Sequence, residues 1–344
     1  MSAHYQPVLW NQQKRRYDRA MLGLILLYLL TFSALQLIFY PGITEETLII
    51  RATGSLAFLM LHVILAIGPL TRLNKRLMPL LYNRRHLGVA MFLVALTHSL
   101  FNLVQFHALG NIDPLLSVFV SNTHYGSLAR FPFQTLGFFA LLILFLMAAT
   151  SHDFWLSTLG PGLWKALHMS VYAAYALLQG HVMLGVLQLE RSPAWAALPA
   201  AGMAALLVLH LWAAWKEQKQ EHRPESSDRQ GFYRVCRVEE IAPDRARMVL
   251  IGKENIAIFR YAGQLSAVSN RCRHQNGPLG EGKVVDGCIT CPWHGYQYLP
   301  QNGQSPPPFR EKLETYDVKL VGGEVFVHPR PYPEGTPRPP ALIS

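Results

Sequence analysis

The chain has 344 residues, 51% of them hydrophobic and only 15% charged, and its mean hydropathy is positive. That balance is too apolar for an ordinary soluble protein of this size. The formal charge of +10 does not point to nucleic acid, because the basic residues flank apolar runs instead of forming one patch interleaved with aromatics.

Residues 1–20 are polar, with Lys14, Arg15, Arg16 and Arg19 directly before the first apolar run, Met21 to Tyr40. That run has bilayer length and no small-x-small site after it, so it reads as a signal anchor and not as a cleaved leader. Further spans are expected at 48–70, 87–108, 132–150, 166–188 and 195–215. With the N-terminus inside, the inner segments carry fourteen Lys/Arg and the outer loops three, Arg51, Arg130 and Arg191. The positive-inside rule then puts both termini in the cytoplasm and the chain in the inner (plasma) membrane.

Between the third and fourth spans, residues 109–131 form a longer outer loop in which Leu115 to Val120 could lie along the interface. Residues 216–231 are charged and Pro/Ser-containing and read as a linker. After them come short runs rich in Val, Ile and Tyr: Tyr233 to Val238, Met248 to Ile251, Ile256 to Arg260, Leu265 to Val268 and Tyr316 to Val327. The expected architecture is a membrane all-α six-helix bundle over 21–215, then a small all-β domain over 232–330, then a Pro-rich extended tail, 331–344. No long-period repeat is evident.

The residues that specify chemistry lie at 272–298. Cys272 and His274 are two apart, Cys291 and His294 three apart, and the pairs are separated by sixteen residues, C-x-H-x16-C-x2-H. Each pair can bend over a metal as a short loop. Two thiolates and two imidazoles suit a [2Fe-2S] centre in which one iron takes both cysteines and the other both histidines. A structural zinc site is the alternative, but zinc patterns do not interleave one cysteine with one histidine in each half. Cys236 and Cys288 remain as non-ligand cysteines with no disulfide framework, and a reducing compartment fits.

Over residues 232–330 the chain resembles the ferredoxin-type Rieske [2Fe-2S] family. The resemblance implies a proline lid over the cluster, supplied here by Pro306, Pro307 and Pro308. Respiratory members carry a disulfide across the two loops, where this chain has Gly277 and Trp293. They also aim a serine hydroxyl at a cluster sulfur, where this chain has Tyr296, while the family's nearby tyrosine is kept as Tyr298. Loss of the hydroxyl donor places the expected potential low in the Rieske range.

Seven histidines fall within or beside the apolar spans: His62, His86, His98, His107, His168, His181 and His210. Ionisable groups there are costly and are functional by default. Counting from the basic inner boundary at about 1.5 Å per residue puts His98 about 20 Å and His181 about 24 Å into the slab, nearly level. RRHLGVAMFLVALTH (84–98) and WKALHMSVYAAYALLQGH (164–181) resemble two helices of the ferric reductase-like transmembrane superfamily, a likeness that covers roughly 50–190. It implies a b haem held by His98 and His181, with His168 as a ligand of a second. The second haem's partner on the third span is replaced by Arg84, leaving His62 as the choice, then His86. The thirteen residues from His168 to His181 turn an ideal helix by about 220°, so both can face one neighbour only across a distortion. His107 and His210 read as interhelical packing.

No nucleotide-binding motif is present, so the cluster stands where related reductases carry flavin. The reading is an oxidoreductase component passing single electrons between a cytoplasmic donor (a reductase), a [2Fe-2S] cluster and haem b, one or two in number, toward an outer-face or quinone acceptor. Its partners are the lipid bilayer and these redox proteins, with no nucleic acid. The rivals are reverse, quinol-linked transfer and a non-redox scaffold with a zinc-stabilised module. A Rieske oxygenase would need a mononuclear iron domain for which the residues after 330 have no room.

Overall fold

The computed structural model describes residues 12–77, 80–81, 83–151, 153–189, 193–220, 227–274, 277–292, 295–307 and 309–343. His294, Trp293, Pro308, Arg191 and the middle of the expected linker lie outside the described residues. The chain divides into two compact units, one helical and one β, with the boundary between Ala214 and Trp215.

In the helical unit, α1 (Gln12–Phe39), α2 (Glu45–Leu73), α3 (Arg84–His107), the short α4 (Pro114–Val120), α5 (Phe133–Ala149), α6 (Asp153–Met169), α7 (Val171–Leu189) and α8 (Pro193–Gln220) follow in order. Among the described residues, four helices are long and apolar enough to cross a membrane, those beginning at Lys14, Glu45, Arg84 and Ala196, and α5 is a shorter apolar helix of 17 residues. Helix covers each of the expected spans, but the fifth is divided at Ser170, where α6 ends and α7 begins. The break falls between His168 and His181, so the two do not lie on one continuous helix. Leu24 and Leu30 of α1 are 67% and 71% exposed, a surface that suits lipid and not water.

The interior of this unit is where α2 packs along α3 and α5 along α7, around Leu56, Leu61, Met91, Ala140, Leu144 and Ala174. The outer loop contains α4, started by Asp113, whose carboxylate accepts from the N–H groups of Leu115 and Leu116. Ser117 of α4 turns inward to His107, so the segment docks on the bundle by a polar contact as well as an apolar one.

The second unit is all β. The strands are β1 (Tyr233–Arg237), β2 (Arg245–Ile251), β3 (Glu254–Tyr261), β4 (Gln264–Ser269), β5 (Lys283–Val285), β6 (Cys288–Thr290), β7 (Gln297–Tyr298), β8 (Thr315–Tyr316), β9 (Val318–Val321), β10 (Glu324–Val327) and β11 (Ala341–Leu342). Three antiparallel sheets result: β11-β4-β3-β2 with β8 also on β4, then β1-β10-β9, then β5-β6-β7. Strands β3 and β4 join through Ala262 and Gly263, both at positive φ, which gives a tight two-residue hairpin. The core between the first two sheets contains Ile256, Ile258, Leu265 and Val325, all fully buried.

Strands β5 to β7 were not expected from the sequence, because two or three residues leave no period to read. The 331–343 segment is extended but not a loose tail. Tyr332 N donates to Thr315 O, Gly335 N to Leu313 O, Arg338 N to Gln301 O and Ile343 N to Gly263 O, each at 2.9 Å. Arg338 also pairs with Asp317 and covers the Tyr332 ring at 4.0 Å. Proline fixes the segment's extended course, and the intervening residues carry the N–H groups that bind it.

Replacing the fully buried Ile258 by Ala is expected to destabilise the β unit by about 2–5 kcal/mol. The same change at Val321, 57% exposed on β9, should stay within about 0.5 kcal/mol. Chemical denaturation of the purified chain in detergent measures both.

Candidate functional site: two ligand loops and a pair of facing imidazoles

The first ligand loop leaves β4 and the second leaves β6. Cys272 N donates to Gly277 O and Leu279 N to Asn270 O, both at 2.9 Å, closing the first loop. In the second, Cys291 N donates to Tyr296 O at 2.8 Å and Gly295 N to Cys291 O at 2.9 Å. Gly295 has φ 71°, a conformation in which a side chain is strained, so the tight reversal after the second pair needs glycine. Cys272, His274 and Cys291 are all buried. The structure thus positions three of the four expected ligands, and the fourth, His294, lies outside the described residues.

Tyr298 on β7 joins the loops from behind. It is fully buried, its hydroxyl lies 3.5 Å from Cys272 Sγ, and it accepts from Arg273 N at 3.0 Å. Tyr296 points elsewhere. Its ring stacks on His274, centroids 5.0 Å apart and 11° from parallel, and its hydroxyl donates to Glu311. Burial, then acceptance by Glu311, push the Tyr296 phenol far above the ordinary tyrosine range, so it stays a donor committed to that carboxylate. The larger residue at this position therefore supplies a stacking face to the histidine, with its hydroxyl spent on Glu311. Phe309, next after the prolines, packs on the same ring at 4.7 Å.

Other residues near the loops serve the fold. A Cβ on Gly282 would stand 2.2 Å from Thr290 O and one on Gly280 2.4 Å from Met248, so these glycines admit neighbouring strands. Cys288 is buried on β6, with its thiol pushed up by burial, and forms no disulfide. Among the described residues, which do not include His294, no three His, Cys, Asp or Glu side chains converge.

In the helical unit His98 of α3 and His181 of α7 face each other, ring centroids 6.3 Å apart and nearly perpendicular at 88°. Nδ1 of His98 donates to Ile50 O of α2, and Nδ1 of His181 to Phe133 O of α5, both at 2.9 Å. Each bond fixes the tautomer and leaves Nε2 with a lone pair for a metal. Two imidazoles on one metal at about 2 Å each, with roughly 1.2 Å from nitrogen to ring centre, would set their centroids about 6.4 Å apart. The observed spacing fits a bis-histidine haem b.

Room for these rings comes from two residues the sequence reading did not single out. A Cβ on Gly54 would lie 2.7 Å from His98 Nδ1, and one on Gly137 2.8 Å from His181 Nδ1. Each glycine follows its carbonyl by four residues and so covers the same helix face. Ile50, Gly54 and His98 recur as Phe133, Gly137 and His181, every position displaced by the same 83 residues. The repeat is invisible as sequence identity, and a search for a glycine 44 residues before each histidine could have found it.

The second pair is not brought together. His62 is engaged at both nitrogens, Nδ1 with Phe58 O at 2.9 Å and Nε2 with the Tyr175 hydroxyl at 3.0 Å, and Tyr175 also accepts from Gln179. His86 is tied to Asp18 at 2.6 Å. His168 binds Trp164 O through Nδ1 at 3.0 Å, and its ring stacks on Trp164 at 3.7 Å. Its buried Nε2 makes no well-formed hydrogen bond among the described residues, with the Met147 backbone near the ring. The 83-residue displacement sets Arg85 opposite His168, and Arg85 lies over Trp164 at 5.7 Å. His107 bonds Ser117 and Gln134, and His210 bonds Leu206 O and Tyr172, as packing histidines do.

A β domain with interleaved Cys/His loops, joined to a helical unit with paired, partly buried imidazoles, defines a membrane electron-transfer protein. The Rieske [2Fe-2S] domain matches residues 231–317, and the ferric reductase-like transmembrane component matches 53–179. The chain belongs to the Rieske [2Fe-2S] family and carries the ferric reductase-like domain in the same polypeptide. Over 92 residues it is 32% identical to the anthranilate 1,2-dioxygenase ferredoxin subunit of Burkholderia cepacia, covering 26% of this chain and 85% of that one. Over 99 residues it is 32% identical to the biphenyl dioxygenase ferredoxin subunit of a Pseudomonas species, covering 28% and 90%. A ferredoxin solved in complex with the oxygenase of carbazole 1,9a-dioxygenase is similar at 28% identity, covering 30% of this chain and 99% of that one, with a TM-score of 0.29.

Substituting Leu for Gly54 or Gly137 is expected to displace the adjacent imidazole and lower haem affinity roughly 10–100-fold, although neither glycine is a ligand. Ala at Gly88, where a Cβ meets nothing within 4 Å, should leave it unchanged. Haem content of the purified variants reads the difference.

Proposed function

We propose that this protein passes single electrons between a cytoplasmic donor, a Rieske [2Fe-2S] cluster and membrane haem b, outward to an acceptor at the outer face. The carrying observation is that one chain holds two loops closed around the buried Tyr298 and two imidazoles facing across 6.3 Å. Cys272 and Cys291 are assigned to one iron and His274 and His294 to the other, with His98 and His181 as the haem ligands. When bound, the two groups supply one-electron redox chemistry that side chains cannot.

The remaining work is done by the protein. Burial keeps water from the first-loop ligands, the Tyr298 hydroxyl is aimed at Cys272, and Tyr296 fixes the plane of His274. The carbonyls of Ile50 and Phe133 orient the membrane imidazoles. His168 is assigned to a second haem on the strength of its buried Nε2, which makes no well-formed hydrogen bond among the described residues. His62 could join it only by giving up Tyr175, since both its nitrogens are engaged.

The bundle, 21–215, is read as six spans, with α7 and the end of α6 forming the fifth, in the inner (plasma) membrane. The linker 216–231 and the 232–330 domain then follow on the cytoplasmic side, with both termini there. The donor is read as a cytoplasmic reductase, and a quinone is the alternative to an outer-face acceptor.

The purified chain is expected to contain iron and inorganic sulfide and to give the low-average-g EPR signal of a nitrogen-ligated cluster, with a potential toward the lower end of roughly −150 to +300 mV. Zinc without sulfide in a folded, anaerobic preparation would refute it. A reporter fused after Ser344 should behave as cytoplasmic and one inserted near Thr123 as exported. The reverse pattern would put the cluster on the outer side and overturn the direction of transfer.

A further inference from the structure

Arg273 stands between Cys272 and His274, so its backbone is part of the first ligand loop. Its N–H is given to Tyr298, the hydroxyl that lies 3.5 Å from Cys272 Sγ. Its guanidinium leaves the loop and meets two carboxylates, Glu314 at 2.7 Å and Glu334. Glu314 directly precedes β8, and its carbonyl accepts from Ser269 N at the end of β4, the strand that feeds the loop. Glu334 belongs to the C-terminal segment, which is strapped to the domain on both sides of it by Tyr332, Gly335, Arg338 and Ile343. The strap lies beyond residue 317, where the Rieske match ends, so it is not part of the recognised module.

We propose that Arg273 is a positioning residue for the first pair of cluster ligands, clamped by Glu314 and by Glu334 of the C-terminal strap, and that these three charges together set the centre's reduction potential. The proposal rests on the Rieske reading of the same site. One nitrogen, Nη2, donates to both carboxylates, so a single cationic group ties Glu314 and Glu334 to the loop. The potential follows from charge: one-electron reduction adds a negative charge, which a nearby cation favours and nearby anions oppose. Arg273 and Glu334 have side chains 40% and 47% exposed. Solvent and salt therefore moderate the effect without removing it.

The signs separate this role from simple loss of structure. Glu334→Gln removes an anion and should raise the potential. Arg273→Gln leaves two carboxylates beside the loop and should lower it, and Arg273→Lys, which restores the charge, should bring it back most of the way. Loss of structure alone would move both Gln variants the same way. The strap keeps its backbone bonds and the Arg338–Asp317 pair in the Glu334 variant, so that variant should fold.

The experiment is an EPR-monitored redox titration of the full chain and these variants, with iron and sulfide analysis, at low and high salt. Opposite shifts that shrink as salt rises are expected. Shifts of the same sign, or a Glu334→Gln potential equal to the parent's, would overturn the proposal. If Arg273→Gln assembles no cluster, the Glu334→Gln shift alone decides it. A parent chain lacking iron and sulfide would overturn the Rieske reading and this inference together, whereas an intact parent signal with unmoved potentials overturns this inference alone.

Discussion

Nδ1 of His98 and Nδ1 of His181 each donate to a backbone carbonyl one helix away, and the membrane half of the molecule depends on that pair of bonds. A neutral imidazole in an apolar slab must satisfy its N–H, and the direction in which it does so decides where its lone pair points. A helical carbonyl is normally shielded by the side chain four residues later. Only glycine at 54 and 137 lets the rings reach Ile50 O and Phe133 O, so the ligand geometry is set as much by α2 and α5 as by the helices that carry the histidines.

The β unit solves a related problem by different means. Its ligand loops are short and irregular, so their backbone groups cannot be satisfied by a ladder and are closed within each loop. Side chains then brace the loops from three directions: Tyr298 from below, Tyr296 with Glu311 from the proline segment, and Arg273 with the C-terminal strap. Fixed ligands need little rearrangement when an electron arrives or leaves.

How much of this was legible in the sequence follows from which features leave a local pattern. The interleaved Cys/His spacing exposes the cluster ligands directly, and apolar runs of bilayer length expose the spans. The longer strands β1 to β4 show their Val, Ile and Tyr content, whereas β5 to β7 are too short to show a period. The break at Ser170 has no proline or glycine beside it to mark it. Gly54 and Gly137 look like any other helical glycine until the partner ring is seen. The strap's five prolines announce its extended course but not its anchoring, which lies in the residues between them. His62 stands out in sequence as a spare imidazole well inside an apolar span, which carries no information about the Tyr175 hydroxyl that occupies its Nε2.

The central claim is that the cluster lies on the path by which electrons reach the haem. The direct measurement is the rate of haem reduction by photoreduced flavin supplied to the cytoplasmic face of inside-out membrane vesicles, for the parent chain and for Cys291→Ser. The account predicts that the variant keeps its haem spectrum but is reduced at least about tenfold more slowly, a change of some 1.4 kcal/mol in barrier. Equal rates at equal haem content would contradict it.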